Sequence, residues 1–239
     1  AEQVLIQNRI PWHPVFDADV AAGRLADYPA AVLADVQFMS DEQVEAVLRY
    51  VEAGGGLLVI GDTALWDEAG RRRSGSPLAE ALGYEQGRPG RAAFGRGRAA
   101  YQRRETIEDV PPQYGGDRQV GNQYWHLPPN AAAIAEDTLW LIGRPPALRA
   151  ELPPTVVAEL AVRESPDLMI LHLVNFDPAS PVTEAPVSLA VPEGRSVCSV
   201  RLLTPATGAD RPADFREDAG RVAFTVFDLD IHTMACVQL

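Results

Sequence analysis

The sequence predicts an α/β domain with a parallel sheet, followed by a small antiparallel β-sandwich. Two short apolar runs, 30–36 and 57–61, flank a segment with helical periodicity. A proline-rich stretch covers 144–155, and beyond it apolar and polar residues alternate at the two-residue period of strands. We therefore expect an α/β domain at 1–145 and a β-sandwich domain at 150–239.

The segment SDEQVEAVLRYVEAGGG is predicted to be an amphipathic helix. Ser40 and Gln43 have the spacing of a capping box, in which two side chains satisfy backbone N–H groups at the helix start. The apolar residues that follow lie on one helical face: Val44, Val47, Leu48 and Val51. The apolar runs on either side lack alternation, as is typical of strands covered on both faces. Strand, helix and strand therefore form a parallel crossover unit.

The residues before this unit predict two further elements. Residues 1–9, AEQVLIQNR, are typical of the end of a helix, and the region around Val15 is predicted to be a strand. A parallel sheet of this kind usually has another strand before position 1, which the sequence as given lacks. We therefore expect the chain to be a piece of a longer protein.

The rest of the first domain is predicted to contain two more helices and a short strand. A Ser-Pro pair and a glycine bound the first helix, at 76–83. The glycines of GRGR at 95–98 favour a β-turn that leads into the strand. Residues 105–128 are predicted to form a loop. The second helix, 130–143, begins at Asn130 as its cap and ends at a glycine.

Composition excludes several function classes. The net charge of −12 argues against nucleic acid and anionic membranes as partners. Every basic side chain is arginine, so no lysine can act as a Schiff-base group. No apolar run approaches the roughly 20 residues of a membrane span, and we expect a soluble, cytoplasmic chain. The arginines at 71–73 and 88–104 are expected to form solvated loops or ion pairs between subunits.

Cysteine and histidine usage predicts no metal site and no cofactor. Cys198 and Cys236 are expected to be small buried hydrophobic residues, and two cysteines exclude a disulfide framework. The four histidines show no metal-binding spacing: His13, His126, His172 and His232. His172 is expected to be a hydrogen-bonded histidine within a strand.

The stretch GGGLLVIGDTALWDE, 54–68, bears most directly on function. In α/β enzymes of acyl transfer the nucleophile lies on a tight turn after a parallel strand. Here the turn reads Gly61, Asp62, Thr63, where a cysteine or serine is expected. The β-branch of Thr63 restricts its hydroxyl, and one histidine, His126, lies between the turn and the linker. We interpret the turn as a degenerate elbow without a catalytic residue.

Two other groups of residues suggest action on, or binding of, a sugar. Asp62, Asp67 and Glu68 could form a glycosidase-like set of carboxylates, but their close spacing on one loop favours helix capping and loop hydrogen bonds. Trp66, Tyr124 and Trp125 could stack on sugar rings, although packing in a core or an interface is the favoured alternative. The candidate sugar or interface contacts are Trp66, Asp67, Tyr124, Trp125 and His126.

The order of motifs resembles a known family over nearly the whole chain. ADVQFMSDEQVEAVLRYVEAGGGLLVIGDTALWDEAGRRR, followed by LAEALG, FGRGRAAYQ, WHLPPN and LHLVNFDP, is similar to the class I glutamine amidotransferase-like domain of β-galactosidases of glycoside hydrolase family 42. In that family the domain follows a catalytic (β/α)8 barrel, is called the trimerisation domain and precedes a small β-sandwich. Its fold, flavodoxin-like or amidotransferase-like, has lost the cysteine of true amidotransferases.

The resemblance implies a non-catalytic accessory or oligomerisation region of a β-galactosidase-like glycoside hydrolase. Its implied partners are further copies of the chain, in a trimer, and an upstream catalytic barrel that carries both catalytic carboxylates. Two alternatives stay open. One is a divergent hydrolase or amidotransferase-like enzyme that uses Thr63 or Asp62. The other is a carbohydrate-binding module with Trp66 or Trp125 as its platform.

Overall fold

The computed structural model describes three stretches of the chain, 1–105, 127–164 and 167–239. Their contacts divide the chain into two compact units. The first unit comprises Ala1, Gln3 and His13–Pro145, and the second comprises Glu2, Val4–Trp12 and Pro146–Leu239. The sequence did not indicate that Val4–Trp12 groups with the second unit.

Among the described residues of the first unit, four strands form one sheet. Its strands are β1 (Ala30–Ala34), β2 (Gly56–Ile60), β3 (Gly90–Phe94) and β4 (Gly97–Gln102). Their order is β1-β2-β4-β3, with β2 parallel to both β1 and β4, and β3 antiparallel to β4. Every residue of β2 is buried, as expected for a central strand covered on both faces. The predicted parallel sheet is confirmed.

The helices are α1 (Glu2–Gln7), α2 (Asp17–Ala21), α3 (Asp41–Glu52), α4 (Pro77–Leu82) and α5 (Ala131–Ile142), with a 3₁₀ turn at Arg24–Asp27. The capping box of α3 is confirmed, since the Gln43 N–H donates to Ser40 Oγ at 3.1 Å and the Ser40 N–H donates to Gln43 Oε1 at 2.8 Å. Gly83 and Gly143 end α4 and α5 in the left-handed conformation. None of the helices in these stretches is long and apolar enough to cross a membrane.

Two local predictions are wrong, and a third holds in position only. The region around Val15 is not a strand, because Pro11 and Pro14 lack backbone donors and α2 begins directly after Phe16. Asn130 is the N-cap residue of α5, as predicted, but its side chain donates to the carbonyl of Arg103 and not to the helix. Cys198 is exposed rather than buried. Residues 106–126, most of the predicted loop, lie outside the described residues.

The described residues of the second unit form nine strands in two antiparallel sheets. They are β5 (Leu148–Ala150), β6 (Val156–Glu164), β7 (Asp167–Asn175), β8 (Val182–Ala190), β9 (Ser199–Thr204), β10 (Ala209–Pro212), β11 (Phe215–Asp218), β12 (Arg221–Leu229) and β13 (His232–Gln238). The sheet orders are β10-β9-β13-β7-β6 and β11-β12-β8-β5. One core contains buried residues from both sheets, for example Leu171 and Phe224, so the two sheets pack face to face as a sandwich.

The predicted linker carries a strand of this sandwich. Strand β5 lies within 144–155 and pairs with β8, and Leu148 is buried in the core. The guanidinium of Arg221 donates to the carbonyls of Pro146 and Ala147 and to Ser188 Oγ. These hydrogen bonds hold the proline-rich segment against the sheet. The first strand of the sandwich therefore lies within the predicted linker.

Candidate functional site

The segments that follow β1 and β2 lie side by side at the carboxyl end of the parallel sheet. The N–H of Ala64 donates to the carbonyl of Val36 at 2.9 Å, and the N–H of Trp66 donates to that of Gln37 at 3.0 Å. In open parallel sheets this end commonly holds the functional residues. The turn at 61–63, which the sequence indicated as the candidate site, lies at this end.

Thr63 is fully buried at this turn. Its hydroxyl lies 3.0 Å from the carbonyl oxygen of Ile60 and 3.4 Å from that of Leu33. Both partners are acceptors, so the single hydroxyl proton is directed at backbone rather than at a general base. A nucleophile needs a base to take its proton and an open path to the substrate. Among the residues that the structure describes, the geometry of Thr63 provides neither.

The corner of the turn is occupied by Ala64 rather than by Thr63. Ala64 has φ of 60°, a left-handed conformation that few residues other than glycine adopt. A nucleophile elbow holds its reactive residue at such a strained corner between a strand and a helix. Here the corner carries a methyl group, and the next helix, α4, begins only at Pro77. The sequence did not reveal this, because alanine does not itself signal positive φ.

Asp35, which follows β1, fixes the shape of the turn. Its carboxylate accepts hydrogen bonds from the Asp62 N–H at 2.9 Å, from Arg104 Nη1 at 2.9 Å and from Gln37 Nε2 at 3.3 Å. Partial burial acts to raise the pKa of Asp35, but these hydrogen bonds and the charge of Arg104 outweigh it and lower the pKa below its ordinary value. The sequence did not reveal the pairing of Asp35 with Arg104, since the two residues follow different strands and are 69 positions apart.

Gly61 lies directly against Asp35. A Cβ atom at Gly61 would lie 2.7 Å from Asp35 Oδ1, and the residue has φ of 68°. The carboxylate of Asp62 accepts from Gln86 Nε2 at 3.2 Å. The Asp35 and Asp62 carboxylates thus both accept hydrogen bonds at or next to the turn, and these bonds stabilise its conformation.

Asp67 organises the loop that follows. Its carboxylate accepts from the N–H groups of Ala69 and Arg71 and from Arg71 Nε, at 3.0, 2.8 and 2.7 Å. The Arg71 N–H is the main cause of a lowered pKa for Asp67. Arg73 spans both segments: its Nη1 donates to the carbonyls of Met39 and Trp66, each at 2.9 Å. The loop is thereby tied to the segment after β1.

An exposed apolar surface lies on these two segments. The Phe38 and Trp66 rings stack with centroids 6.0 Å apart, and the Arg72 guanidinium lies 6.0 Å from the Trp66 centroid. Phe38 is 58% exposed, and Val36 beside it is also exposed. We call Val36, Phe38, Trp66 and Arg72 the aromatic patch. Phe38 rather than Trp66 provides its most accessible ring.

The other predicted contacts cannot be placed in this site. Tyr124, Trp125 and His126 lie outside the described residues. Trp66 and Asp67 occur on one loop, with Gly61, Asp62 and Thr63 in the turn before it. Within the three described stretches, no group of three or more His, Cys, Asp or Glu side chains could hold a metal ion. The carboxylates of Asp35 and Asp67 contact backbone N–H groups and arginines, and that of Asp62 contacts Gln86.

No family model matches the sequence, and no curated protein matches it. Solved structures with a similar fold include the following three. α-L-Fucosidase isoenzyme 2 from Paenibacillus thiaminolyticus has a TM-score of 0.61 at 17% identity, over 99% of this chain and 44% of that chain. A catalytic mutant of Gan42B, a GH42 β-galactosidase from G. stearothermophilus, has a TM-score of 0.59 at 12% identity, over 100% and 35%. The β-galactosidase from Bacillus circulans sp. alkalophilus has a TM-score of 0.56 at 12% identity, over 99% and 36%.

At these low identities, the TM-scores show a common fold and nothing more. The chain spans less than half of the length of each of these three structures. Its fold is thus that of a segment found within chains of glycoside hydrolases.

Proposed function

We propose that this chain is a non-catalytic accessory region that mediates assembly of a β-galactosidase-like glycoside hydrolase. The observation that carries the proposal is the turn after β2. It places the methyl group of Ala64 at the corner and directs the buried hydroxyl of Thr63 at backbone carbonyls. The turn thus keeps the backbone shape of a nucleophile elbow, but neither Thr63 nor Ala64 offers a group that could attack a substrate.

Two observations support an accessory role next to a catalytic region. Nearly all of this chain aligns with the glycoside hydrolase structures, but it accounts for only 35–44% of their lengths. The catalytic carboxylates would lie in another part of the complete protein, on an upstream barrel. The parallel crossover of β1, α3 and β2, with its strained corner, supports an amidotransferase-like origin for the first unit.

The aromatic patch is the surface that we assign to assembly with further copies of this chain, in a trimer. Interface cores are enriched in aromatic residues and arginine. Phe38 and Trp66 supply two stacked rings, and Arg72 adds a guanidinium. Hydrogen bonds from Arg73 and Ala64 hold both segments in place, so little ordering would be required on association.

Thr63→Val tests the non-catalytic assignment. Valine has the shape of threonine without the hydroxyl, so we expect the loss of one buried hydrogen bond to lower the free energy of unfolding by about 1 kcal/mol. Hydrolysis of nitrophenyl galactosides and fucosides by the purified chain is expected to equal the buffer rate before and after the substitution. A rate above buffer that Thr63→Val abolishes, in a chain that remains folded by circular dichroism, would favour the divergent-hydrolase alternative.

Phe38→Asp tests the assembly surface. A carboxylate at the centre of an apolar contact would have to be buried on association, and its desolvation is costly. We expect light scattering to give the mass of an oligomer for the native chain and that of one chain, 25.9 kDa, for the variant.

Phe16→Asp is the matched control, because Phe16 is 68% exposed but lies outside the patch. It should leave the oligomer intact. A native chain that is monomeric at all concentrations, or equal dissociation of the two variants, would contradict the assignment of the aromatic patch.

A further inference from the structure

The sandwich brings two histidines together that are distant in the sequence. His172 lies on β7 and His232 on β13, which are neighbouring antiparallel strands. His172 Nδ1 and His232 Nε2 are 3.2 Å apart, and the ring planes differ by only 17°. Each ring therefore turns one nitrogen directly towards the other ring.

The pair lies on the outer face of its sheet. Residues next to His172 on β7, Leu171 and Leu173, are buried in the sandwich core, as is Ala235 on β13. Side chains alternate along a strand, so both histidines point away from that core. Both are half-buried, which leaves them accessible to a small solute. Glu159 on β6 is the direct partner of His172 in the strand register and adds a carboxylate to the same face.

The separation of the two nitrogens suits a shared metal ion. Imidazole nitrogens bind Zn²⁺ at about 2.0–2.1 Å, so two nitrogens 3.2 Å apart can both reach one ion at an angle of about 100°, close to tetrahedral. In the hydrogen-bonded pair one of these nitrogens carries a proton. On binding, that ring moves its proton to its other nitrogen, a change of tautomer, and rotation of the two side chains turns both lone pairs towards the ion.

We propose that His172 and His232 form a binding site for a divalent transition-metal ion, with Zn²⁺, Ni²⁺ or Cu²⁺ as the class of ligand. Two side chains supply the protein ligands, since no group of three occurs among the residues described. Water completes the coordination. This inference does not depend on the proposed function, because it uses only the sandwich.

Calorimetric titration of the chain with Zn²⁺ tests the site. We expect one ion per chain, no heat of binding with Mg²⁺, which prefers oxygen ligands, and an affinity that falls more than about tenfold in His172→Gln and in His232→Gln. His13→Gln is the matched control, since His13 is in the first unit, and its affinity should be unchanged. Equal affinities for the native chain and both pair variants would overturn the site, as would an equal loss in the control.

A second measurement requires no variant. Nitrogen-15 spectra of the histidine rings should show Zn²⁺-dependent shifts at His172 Nδ1 and His232 Nε2. Shifts confined to the other histidines would overturn the proposal even if a substituted chain failed to fold.

Discussion

Gly97→Ala is expected to lower the free energy of unfolding by about 3 kcal/mol, because overpacking typically costs about 1–3 kcal/mol and a clash with backbone lies at the upper end of that range. A Cβ atom at Gly97 would lie 2.0 Å from the carbonyl oxygen of Val51 and 2.4 Å from that of Gly55. Both atoms are backbone at the end of α3, so neither can rotate away. Urea unfolding of the native chain and the variant measures the difference.

Gly90→Ala is the matched control for this change. Gly90 begins β3, pairs with Tyr101 on β4, and has no atom within 4 Å of an added Cβ. We expect its free energy of unfolding to stay within about 1 kcal/mol of the native value. An equal loss in both variants would show that alanine is disfavoured in this hairpin for reasons other than the contact with α3.

Asp137→Ala is expected to cost about 2–3 kcal/mol of the free energy of unfolding, since it leaves a buried amide without its acceptor. Asp137 on α5 is 4% exposed and accepts from Gln102 Nε2 and from Arg91 Nε, each at 2.7 Å. Its hydrogen bond is the main cause of the raised pKa of Arg91, with a smaller contribution from Glu136. Denaturant unfolding again gives the measurement.

Glu136→Ala is the control that shows whether the cost of Asp137→Ala comes from the buried Gln102 amide or from the ion pair with Arg91. Glu136 binds the same guanidinium, at 2.8 Å to Arg91 Nη2, but its side chain is 74% exposed. Exposed ion pairs contribute about 0–1 kcal/mol. A cost for Glu136→Ala as large as that for Asp137→Ala would contradict the argument that the buried amide sets the effect.

Gly97→Ala and Asp137→Ala both alter contacts of the sheet that supports the aromatic patch. Gly97 allows α3 to approach β4, and Asp137 ties α5 to the same strand through Gln102. Strand β2 lies between β1 and β4, and its end leads into the turn with Ala64. These strands thus position the two segments that carry the aromatic patch.

Local patterns in the sequence determined much of the fold. The capping box at Ser40, the helical spacing of the valines that follow and the buried run of β2 each depend on neighbours within about four residues, so they could be read directly. The alternation along β12 likewise predicted which side chains enter the sandwich. The sequence also shows directly that the turn has no cysteine or serine.

Only the tertiary structure decided the details of the turn and the histidine pair. The positive φ of Ala64 follows from hydrogen bonds to the segment after β1, and Asp35 meets Arg104 across the parallel sheet. His172 meets His232 through the register of two strands that lie 60 residues apart. Strand order and register depend on packing over the whole unit, because a shift of one residue would turn every side chain to the opposite face.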